Sequence, residues 1–148
     1  MPVASEIMSD TLLTLGVDTT VGEAIEKLVA HSISSALVVR DGKMVGVVSE
    51  LELFDVLFDL SLREKPVSEV MEHNVIAVDE SESLSHVAHL FALHEIRRVP
   101  VLRSGTPVGV VSRRDLLRFA LKCEQPLVDP LAELMPLLDQ EQAVEAQS

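Results

Sequence analysis

The chain repeats itself. Ser5-Glu6-Ile7-Met8 returns as Ser68-Glu69-Val70-Met71, and Val45-Gly46-Val47-Val48-Ser49 returns as Val108-Gly109-Val110-Val111-Ser112, both displaced by 63 residues (68 − 5, 108 − 45). The same displacement carries His31 onto His94, Ile33 onto Ile96, Arg40 onto Arg103, Gly42 onto Gly105 and Leu53 onto Leu116 without a gap. An ungapped internal match restricts the fold to two like units, because each unit of about 55 residues buries too little surface to be robust alone.

Each unit reads in the same order. A short apolar run, Leu12 to Leu15 or Val75 to Val78, precedes the polar stretch Asp18-Thr19-Thr20 or Ser81-Glu82-Ser83. A helix of 3.6 period follows, with Val21, Ala24, Ile25, Leu28 and Val29 on one face in the first unit and Leu84, Val87, Ala88 and Phe91 in the second. Thr20 with Glu23 fits a capping box at the first helix start. Strands are expected over Ala36 to Val39 and Val45 to Val48, joined at Asp41-Gly42, and over Val99 to Leu102 and Val108 to Val111, joined at Ser104-Gly105. A last helix starts at Ser49 or Ser112. The predicted fold is α/β of an α+β-like kind: two β-α-β-β-α motifs, 4–61 and 67–122, packed as a pseudo-twofold pair across a linker at 62–66. Residues 123–148 form an acidic tail with Pro126, Pro130 and Pro136. An apolar face at Leu131, Leu134, Met135, Leu137 and Leu138 is expected there, with disorder from about Asp139.

Composition bounds the partners. The chain carries a formal net charge of −12, which argues against nucleic acid or an anionic membrane as the main partner. Apolar residues make up 47% of it and aromatics 3%, so its cores are aliphatic. It has neither a signal-like start nor an apolar run near the ~20 residues of a membrane span. The lone Cys123 suits a reducing compartment, and the cytoplasm is the expected location. Against the acidic background, Arg97, Arg98, Arg103, Arg113, Arg114, Arg118 and Lys122 gather seven of the twelve basic residues. A strand ending at a helix N-terminus beside arginines suits a small anion.

The doubled unit resembles the CBS domain, the cystathionine-β-synthase type motif. The resemblance rests on Ile96-Arg97-Arg98-Val99-Pro100-Val101 and on the run from Gly109 through Ser112 to Asp115, which is similar to the family's Gly-hydrophobic-x-Ser/Thr-x-x-Asp signature. It covers roughly residues 4 to 121. The resemblance implies two clefts between the halves that take adenosine compounds such as AMP, ADP, ATP or S-adenosylmethionine. It also implies no catalysis, pairing into a homodimer, and regulation of a partner protein yet to be identified. Carried over by position, one cleft takes Asp115 for the ribose hydroxyls, Ser112 and Arg98 near the phosphate, and Val110 for the base, with Arg114 also among its ligand-binding residues. Thr19, Ala24, Ile33, Ser34 and Ser35 complete it. A second, weaker cleft takes Ser49, Glu52, Ile96 and Arg97. Its signature departs from the family at Glu52, which stands where the other half has Asp115, and at Ser35, which stands where the other half has Arg98.

Ordinary explanations compete. Ser112 and Asp115 also form a Ser-x-x-Asp capping pattern that accounts for both. His86 and His89 lie one turn apart, and a solvated helix face explains them better than a metal. Met8 and Met71 read as core or cleft-lining packing. The second functional expectation is a protein-interaction scaffold with vestigial clefts and the apolar tail face from Leu131 to Leu138 as its docking element. Leu53, Phe54, Leu57 and Phe58, with Leu116, Leu117 and Ala120, are unusually apolar for solvent-facing helices and support the homodimer. No nucleophile stands beside a general base, so a hydrolase or transferase has little support.

Overall fold

The computed structural model describes residues 2–127. The expected tail helix and disorder fall on 128–148, outside the described residues. The order is α1 (Ala4–Ile7), β1 (Thr14–Gly16), α2 (Val21–His31), β2 (Ser35–Arg40), β3 (Lys43–Ser49) and α3 (Glu50–Leu53), then β4 (Val78–Asp79), α4 (Leu84–Leu93), β5 (Arg98–Arg103), β6 (Thr106–Ser112) and α5 (Arg113–Ala120). Short 3-10 turns at Phe54–Leu57, Leu60–Glu64 and Val67–Glu69 join the halves.

Two three-stranded sheets result, β1-β2-β3 and β4-β5-β6, each with one parallel and one antiparallel pair. The hairpins carry the expected turn chemistry. Asp41 and Gly42 have φ of 52° and 78°, Ser104 and Gly105 have 50° and 84°, and the two-residue turn of matching twist requires positive φ at both positions. Even the irregularity repeats, since the ladder slips between Val38 and Val39 and again between Val101 and Leu102. Helix α2 begins as predicted, with the Thr20 hydroxyl accepting from Glu23 N at 3.1 Å and the Glu23 carboxylate accepting from Thr20 N at 3.3 Å.

The cores are aliphatic and separate. Leu15, Val21, Ala24, Leu28, Val38 and Val48 fill the first, and Val78, Val87, Val99, Val101 and Val111 fill the second. Full burial of such a side chain is worth about 1.5–3 kcal/mol. The motifs are nonetheless interlaced. Ala4, Ile7 and Met8 open the chain but belong to the second core, whereas Val67, Val70 and Met71 open the second repeat and belong to the first. Ser9 pairs with Val110, and Glu72 with Val47. A Cβ on Gly109 would lie 2.5 Å from the Met8 sulfur and 2.9 Å from the Ser9 carbonyl oxygen, and one on Gly46 would lie 2.7 Å from Met71 and 2.9 Å from Glu72. These two glycines admit the crossing segments.

Two expectations are corrected. The helix after Ser49 stops at Leu53 instead of matching α5, because the chain must fold back through Leu60–Glu64 against α2 to bring Pro66 beside Thr20. Leu53 is not solvent-facing: it is 5% exposed in the first core.

Candidate functional site

The main cavity has a volume of about 580 Å³, within the usual range for small-molecule sites. It lies where the halves meet. Matched residues from both line it: Ile33 with Ile96, Ser35 with Arg98, Leu37 with Pro100, Val47 with Val110, and Leu12 and Leu13 with Val75 and Ile76. This space straddles the pseudo-twofold relation and draws residues from both of the clefts expected from the sequence. Strand periodicity supplies the apolar wall, since Val47 and Val110 point away from the sides of β3 and β6 that bury Val48 and Val111.

Charge breaks the symmetry. Asp10, Glu52, Glu72, His31 and Arg98 are the titratable residues on the lining. The Glu72 carboxylate accepts from Asn74 N at 2.8 Å. Glu52 accepts from Ser49 N at 3.2 Å and from the Ser49 hydroxyl. The Arg98 guanidinium has no hydrogen-bond or ion-pair partner among the described residues, and its strand register sets it opposite Ser112.

Ile33, Ser35, Ile96, Arg98, Val110 and Glu52 thus line one cavity, whereas Thr19, Ala24, Ser34, Ser49, Arg97, Ser112, Arg114 and Asp115 are not on its lining. Each of the latter has a visible occupation or position. Ala24 is fully buried in the first core. The Thr19 carbonyl accepts from Val67 N at 2.8 Å, that of Ser34 from Glu50 N at 3.0 Å and that of Arg97 from Arg113 N at 3.2 Å. Arg114 is exposed on the first turn of α5. Ser112 and Asp115 close a reciprocal capping box, Ser112 N donating to Asp115 at 2.8 Å and Asp115 N to the Ser112 hydroxyl at 3.1 Å, and Arg118 pairs with the other Asp115 oxygen at 3.5 Å. Of the matched pair of carboxylates, Glu52 is on this lining while also serving the cap at Ser49, and Asp115 caps α5.

Sequence reasoning missed Asp10, Thr11 and the segment 72–76. Their signal was present, because Thr11 and Asn74 are matched by the repeat just before β1 and β4, but each lies outside the recognised signature. Among the described residues no group of His, Cys, Asp and Glu is arranged to hold a metal ion, and no helix is long and apolar enough to cross a membrane.

Comparison with known proteins gives the family and the fold. The family model described as CBS domain matches residues 4–59 and again 67–122. A CBS domain-containing protein of Dictyostelium discoideum is 29% identical over 140 residues, covering 84% of this chain and 95% of that one. The chain spans only 41% of an uncharacterised protein of Methanocaldococcus jannaschii and 23% of the L-aspartate semialdehyde sulfurtransferase of that organism, at 25% and 30% identity over 77% and 79% of this chain. Among solved structures, the CBS domain pair of protein MJ0100 in complex with 5′-methylthioadenosine and S-adenosyl-L-methionine superposes with a TM-score of 0.67 at 29% identity, over 82% of this chain and 98% of that one. CBSX2 in complex with AMP superposes with a TM-score of 0.71 at 26% identity, over 83% and 98%.

Proposed function

Because the chain belongs to the CBS domain family, we propose that it is a non-catalytic regulatory module that binds one adenosine-containing ligand in the cavity between its halves and passes the occupancy to a partner protein. The observation that carries this reading is the unpartnered Arg98 guanidinium on a cavity shared by both motifs, beside an apolar wall of Ile33, Ile96 and Val110. Ile33, Ile96 and Val110 offer a flat apolar slot for a base. Glu52 accepts from a vicinal diol, as a carboxylate with two oxygens does. Arg98 faces the anionic or polar 5′ end. The solved relatives bound to AMP and to S-adenosyl-L-methionine support an adenosine ligand.

The lining also orders the ligands. One arginine shares the lining with Asp10, Glu52 and Glu72, so each added phosphate meets more repulsion than attraction. Affinity is expected to fall from AMP to ADP to ATP, with uncharged or cationic adenosine thioethers and sulfonium compounds tolerated. Titration calorimetry with AMP, ADP, ATP, 5′-methylthioadenosine and S-adenosylmethionine tests this, and silence toward all five refutes the reading. Arg98→Ala should cost about 1.5–3 kcal/mol, roughly tenfold or more in affinity. Glu52→Ala should cost nearly as much and Asp115→Ala little. The reverse order would return the site to the Asp115 signature.

A second part of the reading concerns assembly. Phe54, Leu57, Phe58, Leu117 and Leu121 are 58%, 65%, 82%, 69% and 88% exposed. Apolar faces of this kind mark contact surfaces, and we take the module to pair with itself. A monomeric mass by light scattering at micromolar concentration would remove this part.

A further inference from the structure

The repeat matches His31 with His94, and the two are held differently. His31 is the last residue of α2, and the chain turns after it through Ser32 in the left-handed conformation, φ 53°. Helix α4 stops one residue sooner in the match, so His94 is an extended cap with φ −125° and ψ 146°. Both are exposed to solvent, but His31 lines the cavity between the halves and His94 does not. The His31 ring has no hydrogen-bond or ion-pair partner among the described residues. From this we infer that His31, in its protonated form, is the residue that tells a phosphate-bearing adenosine ligand from an uncharged one. The inference rests on the adenosine reading above and adds a source for its charge specificity.

The charge on the lining carries it. Arg98 stands with Asp10, Glu52 and Glu72, a formal charge of −2 (1 − 3) with a neutral imidazole and −1 with an imidazolium. Histidine is the side chain that ordinarily changes charge between pH 5 and 8, and a proton taken up at His31 gives the cavity its second cation. The charged groups around it are Lys27 one turn back on α2, Glu50 and Glu52 on α3, Asp10 and Glu72 from the segments ahead of β1 and β4, and Arg98 on β5. The turn at Leu60–Glu64, with Arg63 and Glu64, also packs on α2, but Arg63 meets it at Gly22, the end away from His31. An imidazolium donates to a phosphate oxygen as a guanidinium does, through a charge-assisted hydrogen bond. An adenosine thioether has no anionic group to accept it. His94, off the lining, has the ordinary position of a solvated helix-end histidine and serves as the internal control.

Titration calorimetry of the full-length chain with AMP and with 5′-methylthioadenosine, at about pH 6.5 and about pH 8, tests it on His31→Gln, His31→Lys and His94→Gln. Comparing each variant with the wild type at one pH removes the titration of the AMP phosphate itself. A charge-assisted contact is worth roughly tenfold when fully formed. The wild type should therefore bind AMP about fivefold more tightly than His31→Gln at the lower pH and nearly equally at the higher. His31→Lys keeps a cation at both pH values and should hold AMP tightly at both. His94→Gln should follow the wild type throughout. 5′-Methylthioadenosine should bind all four proteins alike at either pH, which also shows that the variants are folded. Equal affinity of wild type and His31→Gln for AMP at the lower pH overturns the inference and leaves the adenosine reading standing. A loss in His31→Gln that is the same for 5′-methylthioadenosine as for AMP overturns it too, because His31 would then shape the cavity without reading charge. A wild type that binds neither compound at either pH removes the adenosine reading, and the inference with it.

Discussion

From Lys43 to Leu53 and from Thr106 to Leu116 the chain runs the same course twice: up an antiparallel strand, past a serine, into a helix. Gly46 and Gly109 both sit under a crossing methionine, and both hairpins turn on two residues of positive φ. The side chains that do not touch a core then part company. Ser35 faces Arg98, Glu52 faces Asp115 and Glu50 faces Arg113 across the match. A duplicated unit keeps whatever its packing and turns require, and it is free to vary where solvent or ligand is the neighbour. The differences between the halves are therefore the places to look for function, and the identities are the places to look for stability.

The most severe test of that division is at the glycines. Gly109→Val and Gly46→Val each drive side-chain atoms into a methionine sulfur and a carbonyl oxygen that already lie within 3 Å of where a Cβ would stand. Overpacking of this kind costs about 1–3 kcal/mol or more, or several degrees of melting temperature. The two losses should be similar, because each glycine admits the leading segment of the other repeat. A large loss at one and tolerance at the other, by thermal melting, would show that only one half is locked by its neighbour.

That interlacing marks the limit of what the residues alone disclose. The repeat, the hairpins, the Thr20–Glu23 cap and the aliphatic cores were all legible, because each follows from local spacing. Met8 and Met71 were recognisable as packing residues, but their exchange between halves was not. Ser-Glu-Ile-Met stands at the start of the first motif and Ser-Glu-Val-Met at the start of the second, and nothing in the pattern says which core either covers. Ala24 shows the same limit at the site. Its position in the motif suggested a ligand contact, while its place on the apolar face of α2 put it wholly inside the first core. Glu52 is on the lining of the shared cavity and Asp115 is not, and which of two matched carboxylates meets a space between the halves is a three-dimensional matter that a signature does not carry.

A smaller effect separates the two helix starts. The Ser112 hydroxyl accepts from Asp115 N at 3.1 Å and heads the eight residues of α5. The Ser49 hydroxyl donates to Glu52 and heads the four residues of α3. Ser112→Ala should cost about 1 kcal/mol, and Ser49→Ala clearly less. Denaturant unfolding measures both. Equal losses would mean that Glu52 and Ser49 cap as well as Asp115 and Ser112, leaving no reason for the two signatures to behave differently.

The weakest expected difference lies at the hairpin ends. Arg103 grips Glu80 with two hydrogen bonds, Nε at 2.8 Å and Nη2 at 2.9 Å, while for the matched Arg40 the position equivalent to Glu80 is Val17, which has no charge to offer. The hydrogen bonds from Arg103, and then its charge, hold the Glu80 carboxyl below its ordinary value of 4.5. Asp79 beside it is lowered from 3.8 by hydrogen bonds from the Ser81 hydroxyl and Ser81 N. A depressed carboxylate contributes stability that is complete above its unfolded value and is lost as pH falls through its folded one. The second half should therefore give up a contribution in acid, from just above pH 4.5 downward, that the first half never has at this position. The contribution is small, since both partners are in water and screened. Carboxyl chemical shifts followed through an acid titration are the sensitive measure. Glu80 should titrate below its ordinary value in the wild type and return toward it in Arg103→Gln. Arg40→Gln should move none of them. A Glu80 curve indifferent to Arg103→Gln would mean that the ion pair does not form in solution, and the two hairpins would then be equivalent in charge as they are in backbone.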